Sequence, residues 1–244
     1  MKPALIALFL LGGIGLLAFR TPTNEHPQFK LYPALADYLK SAKKDLGAIP
    51  ETRRAELDKI ALFIQNKRIT DKNANLLFVS GDNARRSLLA QVWAQVAADY
   101  LGVENVHAFS CGNIASTVAP TIQKTLEKIG FLVNPVSLYG QSAYELRFDE
   151  KQPALTLFSK VYTDQANPKN NFGLILTCDP TECPGPDGPT DRIAKSTVQG
   201  PAFKITLPYT PPRTAEGQAN EAAVYDALNR QIATEMLYLF SNVH

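Results

Sequence analysis

Histidine and cysteine, the usual builders of metal and nucleophilic centres, are scarce in this 244-residue chain, with three of each. His26, His107 and His244 fall at no ligand spacing with Cys111, Cys178 or Cys183. No metal centre is therefore expected, and three cysteines are too few for a disulfide framework. No cofactor is expected either. An excess of one charge is also missing: 25 Lys and Arg stand against 23 Asp and Glu, a formal net charge of +2. That balance removes the electrostatic case for nucleic acid. There is no internal repeat and no low-complexity tract.

A long apolar run is nearly missing too. The one candidate, Pro3 to Phe19, follows Met1-Lys2 and precedes Arg20. It falls short of the ~20 residues of a transmembrane helix, and Gly12, Gly13 and Gly15 weaken a span. One lysine, an apolar core and polar residues beyond it read as an export signal. Residues 1–20 are thus expected to be a signal peptide or N-terminal anchor, and the protein to be exported, periplasmic or membrane-anchored. Membrane contact is expected through this segment alone.

Apolar residues make up 45% of the chain, enough for a sizeable core. Many of the 17 prolines fall between Pro180 and Pro212, which should be loop-rich. Residues 21–72 read as a polar linker followed by a helical extension. Leu31 to Arg68 places apolar residues at three- and four-residue spacing, with a helix start at Pro50-Glu51. Residues 73–244 then alternate. Strands are expected at Leu76–Val79, Val106–Ser110, Leu155–Val161, Leu174–Thr177 and Phe203–Leu207. Helices are expected at Ser87–Leu101, Ala119–Ile129 and Glu216–Ser241, and Tyr139 to Pro153 reads as an irregular insertion. Such alternation predicts an α/β fold with a mostly parallel sheet covered on both faces, preceded by a helical hairpin.

The chemistry concentrates in NLLFVSGDNARRSLLAQVWAQ, Asn75 to Gln95. It reads as a buried strand, a tight polar turn and an amphipathic helix. The turn is Ser80, Gly81, Asp82, Asn83, Ala84, Arg85, Arg86 and Ser87. A strand that turns directly into a helix aims backbone N–H groups at one spot, where the helix adds partial positive charge. An arginine on the first helical turn offers a planar fork that matches two oxygens of a phosphate-like group. A cysteine opening such a loop would have its thiolate stabilised by the same field.

That pattern resembles the Cys-x5-Arg-Ser/Thr loop of low-molecular-weight protein tyrosine phosphatases and of the thioredoxin-coupled arsenate reductases that share their fold. The likeness extends to VHAFSCGN (Val106 to Asn113), APTIQKTLEKIGF (Ala119 to Phe131) and LILTCDPTECP (Leu174 to Pro184). From Leu31 onward the chain is similar to a longer bacterial branch with a helical N-terminal extension. The resemblance implies a three-layer α/β sandwich. It implies an oxyanion site over Gly81 to Ser87, with Arg86 at the anion-binding position and Asn83 holding the loop. Cys178 and Cys183 match two redox cysteines, with four intervening residues where the reductases have six, and outside the cytoplasm this close pair could instead be a disulfide.

Departures from the family pattern fall at catalytic positions. Ser80 stands where the nucleophilic cysteine belongs. Serine nucleophiles need an adjacent base, and the candidate the sequence offers is Asp179 or another group not fixed by the motif. Asp82 puts a carboxylate beside an anion pocket and should weaken binding unless it points outward or pairs with Arg85. The general-acid aspartate has no counterpart in LPYTPPR (Leu207 to Arg213), where Thr210-Pro211 occupies its place. The expectation is a degenerate phosphatase- or reductase-like protein that keeps a loop for phosphate, arsenate or a phosphorylated protein. Two alternatives stay open. One is an active phosphatase or arsenate reductase using Ser80 or the Cys178/Cys183 pair. The other is a non-catalytic interaction protein acting through the helical extension.

Overall fold

The computed structural model describes residues 30–179 and 200–244. The apolar N-terminal run, the start of the linker and Cys183 lie outside the described residues. Among the described residues no helix is long and apolar enough to cross a membrane.

Among the described residues, seven strands and five helices follow in chain order. Helices α1 (Pro33–Lys43) and α2 (Glu51–Thr70) come first, joined through a 3₁₀ turn at Leu46–Ala48. Strand β1 (Ala74–Ser80), helix α3 (Arg86–Tyr100), strand β2 (Val106–Gly112) and helix α4 (Pro120–Lys128) follow. Then come β3 (Leu132–Leu138), β4 (Gln141–Arg147), β5 (Leu155–Leu157), β6 (Gly173–Leu176), β7 (Phe203–Thr206) and α5 (Glu221–Ser241). Strands β2, β1, β6 and β7, in that spatial order, form a parallel sheet. This is the expected α/β architecture.

The strand faces explain the packing. Ala74, Leu76 and Phe78 of β1 join a core fed by all five helices. In α2 that core takes Leu57, Ile60, Ala61 and Ile64, the three-and-four spacing of one helix stripe. The helical hairpin therefore shares its core with the sheet. Trp93 makes the join specific: its ring stacks on Tyr38 of α1, and its Nε1 donates to Asn229 Oδ1 of α5 at 2.8 Å. The opposite face, Leu77 and Val79 of β1 with Leu174 and Leu176 of β6, packs on Tyr162 and Phe172. Among the described residues Tyr162 and Phe172, from the irregular segment before β6, pack on that face.

Tyr139 to Pro153 is no irregular insertion. β3 and β4 form an antiparallel hairpin, with Leu138 opposite Gln141, and β5 pairs on its far side in a second sheet. Tyr139 and Gly140 both have positive φ (52° and 79°), as a tight two-residue hairpin turn requires. The expected strand at Leu155–Val161 is shorter, ending at Leu157, with Val161 making an isolated parallel bridge to Gly112. The closing helix begins at Glu221, after a 3₁₀ turn at Pro212–Ala215.

A half-buried carboxyl marks a pH dependence. Asp99 lies in the last turn of α3, and its carboxyl is pushed up to about 6, chiefly by burial, with Asp149 adding to the rise and a hydrogen bond from Gln95 opposing it. A group that binds its proton more tightly in the folded state stabilises the fold at low pH and loses that contribution as pH rises through the folded value. Asp99→Asn keeps an acceptor for Gln95 and removes the charge. It is expected to stabilise the protein by about 1 kcal/mol at pH 8 and to change little at pH 4, allowing for partial solvent screening. Urea unfolding at the two pH values checks this; equal effects at both would contradict it.

Candidate functional site

β1 lies between β2 and β6, so its apolar residues Leu76 to Val79 are buried on both faces. The chain leaves β1 toward β2 on one side and returns at β6 on the other. At such a switch point the carboxyl ends of parallel strands open a crevice. Ser80 ends β1 there, residues 81–85 turn, and α3 starts at Arg86.

The turn is held from outside by its carbonyls. Gly81 O accepts from Ile114 N at 3.1 Å, and Ala84 O accepts from Ala119 N at 3.2 Å. Arg85 O accepts from Leu89 N at 3.0 Å, and Asp82 O accepts from Ser159 Oγ at 2.9 Å. The amides behave differently: among the described residues, those of Gly81, Asp82 and Arg85 donate to no backbone carbonyl. The backbone of the turn is thus pinned through its carbonyls, while these three amides have no backbone acceptor among the described residues. Gly112 on β2 packs directly under the turn. A Cβ there would meet Asn83 N at 2.7 Å and Asp82 C at 2.9 Å, both backbone atoms that cannot move independently.

Asn83 is the internal strut. It is fully buried in the left-handed region (φ 49°), which asparagine tolerates better than most residues. Its Nδ2 donates to Ser87 Oγ at 2.8 Å, and its Oδ1 accepts from Lys160 N at 3.0 Å. Ser80 Oγ lies 2.8 Å from Ser87 Oγ and accepts from Asn83 N at 3.2 Å. The Ser80 hydroxyl is thus built into the loop's own hydrogen bonds.

The two arginines have separate surroundings. Arg85 Nη1 donates to Asp82 Oδ2 at 2.8 Å, and Nε donates to Glu216 Oε1 at 2.5 Å and Tyr225 Oη at 3.0 Å. Burial works against its charge, but the bond to Glu216 and its other partners outweigh it and hold the guanidinium above its ordinary value. Asp82 consequently pairs with Arg85, and its Oδ1 also accepts from Ala84 N at 3.2 Å. Its carboxylate is charge-compensated. Arg86, half-buried on the first turn of α3, donates from Nη1 to Tyr209 O at 3.0 Å.

The remaining expected residues take other places. Cys178 follows β6, is buried and is held in a disulfide, with Sγ 3.8 Å from Val79 O. Thr177 donates to that same carbonyl from N and Oγ1, each at 2.8 Å, so the end of β1 is fixed immediately before Ser80. Cys111 is free and buried, and burial pushes its thiol up to about 12, which leaves no thiolate near neutral pH. Thr210 is exposed on the segment that follows β7. Among the described residues no cluster of three potential metal ligands occurs.

Several residues had no sequence signal. Glu216 and Tyr225 hold Arg85 from more than a hundred positions away, and Ser159 and Lys160 hold Asp82 and Asn83 from beneath. Lys160 is itself buried, its amine pushed down to about 8 by burial, and it is its backbone that supports the loop.

No family model matches the chain, and no curated protein matches it in sequence. It is similar in structure to low-molecular-weight phosphatases and arsenate reductases. A cysteine-to-serine mutant of the YwlE arginine phosphatase with a phosphorylated active-site serine is 16% identical, covering 68% of this chain and 93% of that one with a TM-score of 0.43. A low-molecular-weight protein tyrosine phosphatase from T. tengcongensis is 14% identical, covering 69% and 99%, with a TM-score of 0.41. An arsenate reductase in the phosphate-binding state is 17% identical, covering 70% and 99%, with a TM-score of 0.38. At this distance the likeness assigns no activity, and the chemistry has to be read from the loop's own atoms.

Proposed function

We propose that this chain is a phosphatase- or arsenate-reductase-like protein that binds an oxyanion and has lost the catalysis. The observation that carries this reading is the Ser80–Ser87 turn: its carbonyls are held outward, three amides make no backbone hydrogen bond among the described residues, and Arg86 sits at the helix start. Such a turn suits phosphate, arsenate or a phosphorylated side chain of a partner protein. Ser80 Oγ meets a serine hydroxyl and a backbone amide, neither of which is a base. Thr210 offers no proton donor of the acidity that an ester leaving group needs. A disulfide at Cys178 and the apolar N-terminal run both support a site outside the reducing cytoplasm.

Calorimetric titration with inorganic phosphate and with arsenate tests the reading. The wild-type chain is expected to bind both. Arg86→Ala should weaken binding about 30-fold or more, the scale of losing two charge-assisted hydrogen bonds, without changing stability much. Equally weak signals from wild type and Arg86→Ala would count against an oxyanion pocket. Wild-type hydrolysis of an aryl phosphate that vanishes in Ser80→Ala would overturn the loss of catalysis.

A further inference from the structure

Arg53 on α2 forms an ion pair with Glu235 on α5, Nη2 to Oε2 at 2.8 Å, with the two side chains only 15% and 4% exposed. A buried pair of this kind contributes little net stability, because desolvation offsets most of the attraction. This pair is also imperfectly satisfied: Arg53 Nε is buried without a hydrogen-bond partner among the described residues. Stability alone therefore gives a poor account of it.

Geometry gives a better one. The Arg53 guanidinium carbon lies over the Tyr209 ring, 4.7 Å from its centre. Glu235 fixes that guanidinium from one side, and Gln231 Nε2 holds the other Glu235 oxygen at 3.0 Å. Tyr209 is buried, its amide donates to Thr177 O at 3.2 Å, and its carbonyl accepts from Arg86 Nη1 at 3.0 Å. A chain of contacts thus runs from the helical hairpin, through Tyr209, to the arginine of the loop. We propose that Arg53 is a positioning residue for the oxyanion site: it clamps Tyr209, and through the Tyr209 carbonyl it sets the pose of Arg86. The ligand side of this inference rests on the oxyanion reading above; the clamp itself does not.

The test uses the full chain and two readouts, amide hydrogen exchange over residues 207–213 and titration with inorganic phosphate. Arg53→Met/Glu235→Met removes both charges, so no ion is left buried alone. Arg53→Lys keeps a charge beside Glu235 and loses the guanidinium over the Tyr209 ring. Arg54→Met is the control: Arg54 is the next residue of α2, bonds to Leu46 O and Gly47 O, and stacks near Tyr238, away from the loop. In the double variant residues 207–213 should exchange at least about fivefold faster and phosphate should bind about fivefold more weakly, with Arg53→Lys between it and wild type. Arg54→Met should match wild type in both. Wild-type exchange in the double variant, or equal loosening by Arg54→Met, overturns the clamp. Faster exchange with unchanged phosphate affinity overturns its link to Arg86. If the wild-type chain takes no phosphate, the oxyanion reading falls, while the exchange comparison still decides the clamp.

Discussion

Ser80→Cys is expected to give a chain that releases about one equivalent of nitrophenolate per chain in a burst from p-nitrophenyl phosphate, followed by slow turnover, where the proposed reading expects no burst from wild type. The sulfur would enter the hydrogen bonds now made by Ser80 Oγ with Ser87 Oγ and Asn83 N. A thiol at that place gains from the helix N-terminus and from Arg86, and its thiolate is the nucleophile that serine cannot supply. Nitrophenolate leaves without help, so the missing general acid does not block the first step. An alkyl phosphate needs a proton on its leaving oxygen, and Thr210 has none to give at useful acidity. Its burst should be slower by ~100-fold or more, within the range that acid catalysis contributes. The second step, attack of water on the phosphorylated thiol, lacks a base as well and sets the slow phase. Rapid-mixing absorbance measurements on wild type and variant decide it. A burst from wild type would make Ser80 a nucleophile and end the degenerate reading.

The same geometry explains why neighbouring charges do not rescue Ser80. Asp82, two residues along the turn, is paired with Arg85 and caps Ala84 N. Glu216 is held below its ordinary range, first by the hydrogen bond from Arg85 with burial opposing, and is tied to Arg85 and Tyr225. The two carboxylates therefore keep Arg85 in place and touch no part of the Ser80 hydroxyl. Arg85 is tied to two carboxylates and a tyrosine hydroxyl, while Arg86 bonds to the Tyr209 carbonyl.

How much of this was legible in the sequence depends on how far apart the interacting residues are. β1, the turn and α3 could be read because an apolar run gives way to polar turn residues and then to helical spacing within twenty positions. Asn83 could be read as the strut for the same local reason. The β3–β4 hairpin could not, because its turn is Tyr139-Gly140, and tyrosine with positive φ is not a residue that advertises a turn. The pairing of Asp82 with Arg85 was open as one of two outcomes, and three-residue spacing on a turn made it possible. Glu216, Tyr225 and the Tyr209 carbonyl were invisible, since only the folding of β7 and α5 against α3 brings them to the loop. The role of Arg53 was hidden twice over. On a helical stripe it reads as a solvated charge, yet it is buried against Tyr209 and Glu235.

Asn83→Ala is expected to cost about 3 kcal/mol of folding stability and to abolish phosphate binding together. The substitution removes the Nδ2 bond to Ser87 Oγ and leaves Lys160 N, inside the protein, without its acceptor. A lost buried partner of that kind costs about 1–3 kcal/mol. Alanine must also hold φ near 49°, which adds roughly 1 kcal/mol that asparagine partly avoids. Asn83→Gly separates these effects: glycine accepts the positive φ but restores neither hydrogen bond, so it should recover about 1 kcal/mol of stability and none of the affinity. Denaturant unfolding beside phosphate titration measures both quantities for each variant. Arg86→Ala provides the contrast, because it removes a ligand contact and leaves the strut, and should therefore lose affinity at nearly wild-type stability. An Asn83→Ala chain as stable as wild type would mean that the outward-held carbonyls alone shape the turn, since Ile114, Ser159 and Ala119 would then fix it without help from within.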